Sequence, residues 1–222
     1  MDYLDYWYSI NGIKQIVDLI KKEKYEVRFV GGCIRDALLG NKSPDIDFAV
    51  NCDPDTVSKI LTRNKIDILN YGKKYGTITA VIDKNHFEIT SLREDKNQSG
   101  RDTEVIFTDS WYKDALRRDF TFNAMSIDSN GKIYDYLNGR KDLKAEQVKF
   151  IGKIETRIKE DYLRILRYFR FLGLFKNPNL IIGYEEILYN NLLQLKYQVS
   201  NDQIRNELLK MLKNKYKINS FL

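Results

Sequence analysis

Hydrophobic positions along this chain fall into two textures that meet around residues 136–154. Before that stretch, short apolar runs alternate with turn residues. After it, the apolar spacing is helical and lysine and arginine are frequent. Residues 10–22 carry apolar side chains at helical spacing and predict a helix, and Val27-Arg28-Phe29-Val30 predicts a short buried strand. Gly31-Gly32 then opens a helix that stops near Gly40. Residues 45–50 predict the next strand, and Asp53-Pro54 supplies an N-cap followed by proline at the first helical position. Residues 77–82 and 87–92 alternate as two strands joined by the turn Asp83-Lys84-Asn85, and Ser129-Asn130-Gly131 marks another hairpin. Residues 155–175 predict one long helix with an apolar stripe, followed by helices near 185–195 and 202–212.

Composition narrows the chemistry. Hydrophobic residues make up 43% of 222, which suits a globular protein, and no apolar run approaches the ~20 residues of a membrane span. The acidic, aromatic start Met1-Asp2-Tyr3-Leu4-Asp5 does not resemble a secretory signal, so the expectation is a cytoplasmic protein with no membrane partner. Cys33 and Cys52 are the only cysteines and His86 the only histidine; the cysteines are expected as reduced thiols, and a zinc site lacks ligands. Any metal chemistry must use oxygen donors, which favours Mg²⁺ or Mn²⁺. A net charge of +6 suits an anionic partner.

The candidate chemistry begins at Asp45-Ile46-Asp47. On a strand, residues i and i+2 share a face, so the two carboxylates are expected to project together, an arrangement that repels itself without a cation. Just upstream, the Gly31-Gly32 pair between strand and helix allows backbone N–H groups to approach a phosphate, although its spacing matches neither a P-loop nor the dinucleotide fingerprint. Glu88, on a neighbouring predicted strand, is a candidate third acid.

These segments also carry a resemblance. Gly31-Gly32-Cys33-Ile34-Arg35-Asp36 running to Leu38-Leu39-Gly40, followed by Asp45-Ile46-Asp47, resembles the signature of the polymerase-β-type nucleotidyltransferases. More narrowly, the chain resembles the class II tRNA nucleotidyltransferases (CCA-adding enzymes) and the related bacterial poly(A) polymerases. Gly72-Lys73-Lys74-Tyr75-Gly76-Thr77, Glu88-Ile89-Thr90-Ser91-Leu92-Arg93, Arg117-Arg118-Asp119-Phe120-Thr121-Phe122-Asn123-Ala124, the stretch from Tyr134-Asp135-Tyr136 to Asp142-Leu143, and Glu160-Asp161-Tyr162-Leu163-Arg164 resemble successive motifs of that family in the right order.

The resemblance implies an α+β fold: a mixed-sheet head of about five strands over residues 1–140, a helical neck over 141–183 and part of a helical body over 184–222. It implies two-metal phosphoryl transfer that adds C and A from CTP and ATP to the 3′ end or acceptor stem of tRNA, using Mg²⁺ or Mn²⁺. Asp45, Asp47 and Glu88 are the implied catalytic acids, with the metal on Asp45 and Asp47. Gly31, Gly32, Arg35, Asp36, Arg118, Asp119, Asn123, Asp161, Arg164 and Arg167 are the implied nucleotide contacts, and Arg170 and Lys176 the implied RNA contacts. On one long helix, Asp161 and Arg164 would project from one face, offering acceptors beside donors to the pairing edge of cytosine or adenine. The polar stretch 93–104, with Ser99-Gly100 near its centre, resembles a flexible loop that helps switch specificity from C to A. Family members run longer, so a homo-oligomer or a second chain supplying the remainder is a further expectation. Three alternatives stay open: a poly(A) polymerase or partial CC-only or A-only enzyme, a small-molecule nucleotidyltransferase, and an inactive RNA-binding remnant.

Overall fold

The computed structural model describes residues 3–99 and 102–221. They divide into two compact units, one of Met1–Lys96, Glu104–Arg117 and Asn123–Tyr136, the other of Asn97–Thr103, Arg118–Phe122 and Leu137–Leu222.

The first unit opens with helices α1 (Tyr3–Ser9) and α2 (Ile13–Lys22). The helix expected over 10–22 forms as α2 but starts three residues later, because Gly12 takes a left-handed φ of 99° and separates it from α1. Strand β1 (Val27–Val30) leads into α3 (Gly32–Leu38), β2 (Asp47–Val50) and α4 (Pro54–Arg63), whose N-cap Asp53 accepts the Thr56 N–H as expected. Then follow β3 (Asp67–Leu69), β4 (Thr77–Ile82) and β5 (Asn85–Ser91). After β6 (Arg93–Ser99) and β7 (Asp102–Phe107) come α5 (Trp111–Leu116), β8 (Ser126–Asp128) and β9 (Ile133–Tyr134).

The main sheet has seven strands, two more than expected, in the order β3-β4-β5-β2-β1-β8-β9; β2 and β5 are parallel and the other pairs antiparallel. Register sorts its two faces. Phe29 lies opposite Phe48 and Ile127, and Phe48 opposite Ile89, so these buried residues line one face against α1, α2 and α4. Trp7 continues that aromatic layer, its ring 4.6 Å from Phe29, with Phe48 5.1 Å beyond. Helix α2 meets it with Ile13, Ile16, Val17 and Ile20, a spacing that puts all four on one stripe. The opposite face carries Arg28, Val30, Asp47, Ala49, Glu88 and Thr90. One end of it is closed by Arg28, held between the rings of Trp111 (3.9 Å) and Tyr134 (3.6 Å).

The stretch 93–104, expected as a loop, holds β6 and the start of β7, which pair as a two-stranded sheet; Gly100 lies outside the described residues.

In the second unit, α6 (Gly139–Lys144), α7 (Ile154–Glu160), α8 (Leu163–Leu172), α9 (Tyr184–Asn190), α10 (Leu192–Gln198) and α11 (Asn201–Leu212) follow in order. Its core is aromatic: Phe120, Phe122, Phe150, Tyr168 and Phe171 are almost fully buried, with Phe120 at 4.6 Å from Phe150 and 5.2 Å from Phe171. Burying each such side chain stabilises by about 1.5–3 kcal/mol. The expected single helix over 155–175 is two helices. Asp161 adopts an extended conformation (φ −156°, ψ 104°) and its carboxylate accepts the Leu163 N–H at 2.9 Å, so that the helix restarts at Leu163.

Candidate active site

In the first unit the Gly31-Gly32 turn follows directly from Val30, which lies opposite Asp47. Gly31 takes φ 79° and ψ −137°, a conformation only glycine adopts without strain, so this turn is written into the residue type. Strand β2 begins at Asp47, not at Asp45 as expected. Asp45 is an exposed residue two positions ahead of the ladder, and its carboxylate direction is not set by the strand pleat. Asp47 gains a different neighbour. The β2–β5 register places Phe48 opposite Ile89, so Asp47 lies opposite Glu88, and both carboxylates belong to the sheet face away from the aromatic core. Near Asp47, Cys33 is buried, and burial together with the Asp47 charge pushes its thiol up to about 12. It is a neutral filler rather than a ligand.

Among the described residues no group of three or more His, Cys, Asp or Glu side chains is gathered closely enough to hold an ion by itself. The donor chemistry still suits Mg²⁺, which is typically bound by one or two carboxylates together with waters and substrate phosphates. Asp45 and Asp47 are the residues that would hold it, with Glu88 beside Asp47.

Three expected nucleotide contacts form a bridge. Arg35 donates from Nε and Nη2 to Asp36 Oδ1 (2.9 and 2.8 Å), and from Nη1 to Asn123 Oδ1 (3.1 Å). This ties α3 to the segment entering β8. At the end of α5, Arg117 grips buried Asp114 one turn back through Nε and Nη2 at 2.9 and 2.8 Å.

The remaining expected contacts lie in the second unit. Asp119 is buried; its Oδ1 accepts the Phe120 N–H at 2.8 Å, and Oδ2 accepts Arg167 Nε at 2.7 Å and also Nη2. Burial pulls the Arg167 pKa down, but the Asp119 charge and hydrogen bonds outweigh it and leave a net rise. The Arg118 carbonyl accepts from Arg157. Asp161 and Arg164 do not form the expected pair. The helix break leaves Asp161 exposed, while Arg164 is buried, donating to Glu160 Oε2 at 2.6 Å and to the Arg157 carbonyl at 2.8 Å. Arg157 reaches the same Glu160 oxygen at 2.6 Å. Two buried guanidiniums therefore share one carboxylate, an arrangement invisible in the sequence apart from the i, i+3 and i+4 spacing of the three residues. Of the two expected RNA contacts, Lys176 is exposed, whereas Arg170 turns onto buried Glu207 (2.7 Å) and over the Phe171 ring (4.2 Å).

Comparison with known proteins places this geometry. Residues 27–149 match the poly A polymerase head domain family. The human mitochondrial CCA tRNA nucleotidyltransferase 1 is 48% identical over 163 residues, 73% of this chain and 38% of its own length, so the chain spans well under half of that relative. The Bacillus stearothermophilus CCA-adding enzyme, solved in complex with CTP, superposes with a TM-score of 0.81 at 29% identity, covering 93% of this chain and 49% of that one. The Thermotoga maritima CCA-adding enzyme, solved with tRNA, gives a TM-score of 0.72 at 25% identity over 94% of this chain and 48% of that one. By its motifs, its sheet and these relatives, the chain belongs to the poly A polymerase head-domain family, which includes the CCA tRNA nucleotidyltransferases.

Proposed function

We propose that the chain carries the catalytic part of an RNA 3′-end nucleotidyltransferase that transfers C and A from CTP and ATP to tRNA. In this reaction the RNA 3′-oxygen bonds to the α-phosphorus, the bond from that phosphorus to the bridging oxygen breaks, and pyrophosphate leaves. The observation that carries the reading is the alignment of Asp47 with Glu88 on the sheet face away from the aromatic core, beside the Gly31-Gly32 turn. The bare glycine backbone there admits a phosphate, and the fixed strands hold the carboxylates without reorganisation. Magnesium on Asp45 and Asp47 would supply charge neutralisation and a more acidic hydroxyl. CTP and tRNA in the solved relatives support the substrates. In the second unit, exposed Asp161 has the acceptor chemistry that suits the amino groups of cytosine and adenine.

The test supplies purified protein, Mg²⁺ and labelled CTP or ATP with a tRNA lacking its 3′ end, an unrelated RNA, or no RNA. The expected result is C then A added to the tRNA alone. Long adenylate tails on either RNA would replace the reading with a poly(A) polymerase, and label transfer without RNA would replace it with a small-molecule enzyme. No incorporation at all would leave an RNA-binding remnant.

A further inference from the structure

The Gly72–Thr77 motif is used by none of the chemistry above, yet the structure builds it rigidly. The N–H groups of Lys73, Tyr75, Gly76 and Thr77 donate to the carbonyls of Asn70, Gly72, Lys73 and Gly72 at 2.9–3.1 Å. Gly76 has a φ of 85°, and a Cβ there would sit 2.8 Å from the Phe107 ring. The Arg93 guanidinium donates to the Tyr75 carbonyl, and Lys73 Nζ is held by Asp55 at 2.6 Å. This fixed turn displays groups that no core needs. Tyr71 is 89% exposed and Tyr75 40%, while Lys74 is exposed with its ammonium 4.6 Å from the Tyr75 ring.

We propose that Tyr71, Lys74 and Tyr75 form a contact surface for the single-stranded 3′ end of the RNA substrate, resting on the RNA 3′-end reading above. Flat rings offer stacking to any base and an adjacent ammonium offers a phosphate partner, the pairing that single-stranded nucleic acid sites use. The net charge of +6 agrees with an anionic occupant. Position agrees as well: the turn runs into β4, where Thr79 lies directly opposite Glu88, so Gly76 stands three strand residues, roughly 10 Å, from the level of the carboxylates. Nucleotides just upstream of the reacting 3′ end fall within that reach. Rigidity matters because a pre-formed turn spends no ordering entropy on binding.

The test compares wild type with Tyr71→Ala and Lys74→Ala, whose exposed side chains leave the fold intact, checked by circular dichroism. The probe is an acceptor-stem RNA hairpin with a single-stranded 3′ end, read by fluorescence anisotropy and by incorporation from CTP. Loss of one stacked base predicts an RNA KM and Kd raised about tenfold in Tyr71→Ala. Lys74→Ala should lower the slope of binding against salt by about one unit. The KM for CTP and kcat stay at wild-type values in both. Variants that bind the hairpin within twofold of wild type would overturn the surface. Wild type that binds the hairpin but incorporates nothing, with Tyr71→Ala binding tenfold weaker, overturns the transferase reading and keeps the surface. Wild type that fails to bind overturns both.

Discussion

Removing the carboxylate that two buried arginines share is the sharpest test of the second unit. Arg157 and Arg164 are each 8% exposed, and both place Nη1 2.6 Å from Glu160 Oε2. Glu160→Ala leaves two like charges side by side with their common counter-ion gone. Breaking a buried pair from one side costs about 3–5 kcal/mol; Glu160 is 21% exposed, so water will screen part of this and about 2–3 kcal/mol is expected. For a chain of this size that corresponds to a fall in Tm of roughly 4–12 °C. Glu160→Gln keeps an acceptor without the charge and should fall between the two. Thermal unfolding by circular dichroism measures both, and a double-mutant cycle with Arg164→Met isolates the pair, with a coupling of about 1 kcal/mol or more expected. A Tm within 1 °C of wild type for Glu160→Ala, or a coupling near zero, would refute the reasoning.

Asp45→Ala and Asp47→Ala should each reduce incorporation more than about tenfold, ~1.4 kcal/mol of barrier, at saturating Mg²⁺, with the Tm unchanged or higher; a variant keeping over a tenth of wild-type turnover removes that residue from the site. Asp161→Ala, offered the four triphosphates separately, should lose discrimination against UTP and GTP along with much of its rate, since it removes the exposed acceptor that suits the amino groups of cytosine and adenine. Unchanged selectivity would return Asp161 to its role in restarting α8. Gly139→Ala would place a Cβ 2.4 Å from the Thr121 carbonyl oxygen and 2.8 Å from the Phe122 Cα. Neither backbone atom can swing aside, so a loss above about 3 kcal/mol in chemical denaturation is expected, and wild-type stability would count against the packing described.

Much of the first unit was legible because its signals are local. Asp53-Pro54 announced α4, and alternation announced β4 and β5, since one side of each strand must be apolar. The faults arose where local and distant forces disagree. Residues 154–172 keep an apolar stripe through Ile154, Ile158, Ile165, Tyr168 and Phe171, so periodicity reported one helix; the break comes from one side chain, Asp161, capturing a backbone N–H. The stretch 93–104 pairs as strands although its polar sequence carries no apolar alternation to betray them. Within the site, the residue types were readable but their partners were not. Asp119 and Arg167 are 48 positions apart, and nothing near either one announces that they bond.

The short segment Arg118–Phe122 belongs to the second unit, yet the chain on both sides of it belongs to the first. The polypeptide thus passes back and forth between units instead of crossing once. No single cut can deliver them as separable modules. Ending the chain at Tyr136 would strip Phe120 and Phe122 of Phe150 and Phe171 and turn two core rings into exposed, aggregation-prone surface. A gene fusion or domain swap that treats the catalytic portion as a cassette would therefore need to carry the helical portion with it.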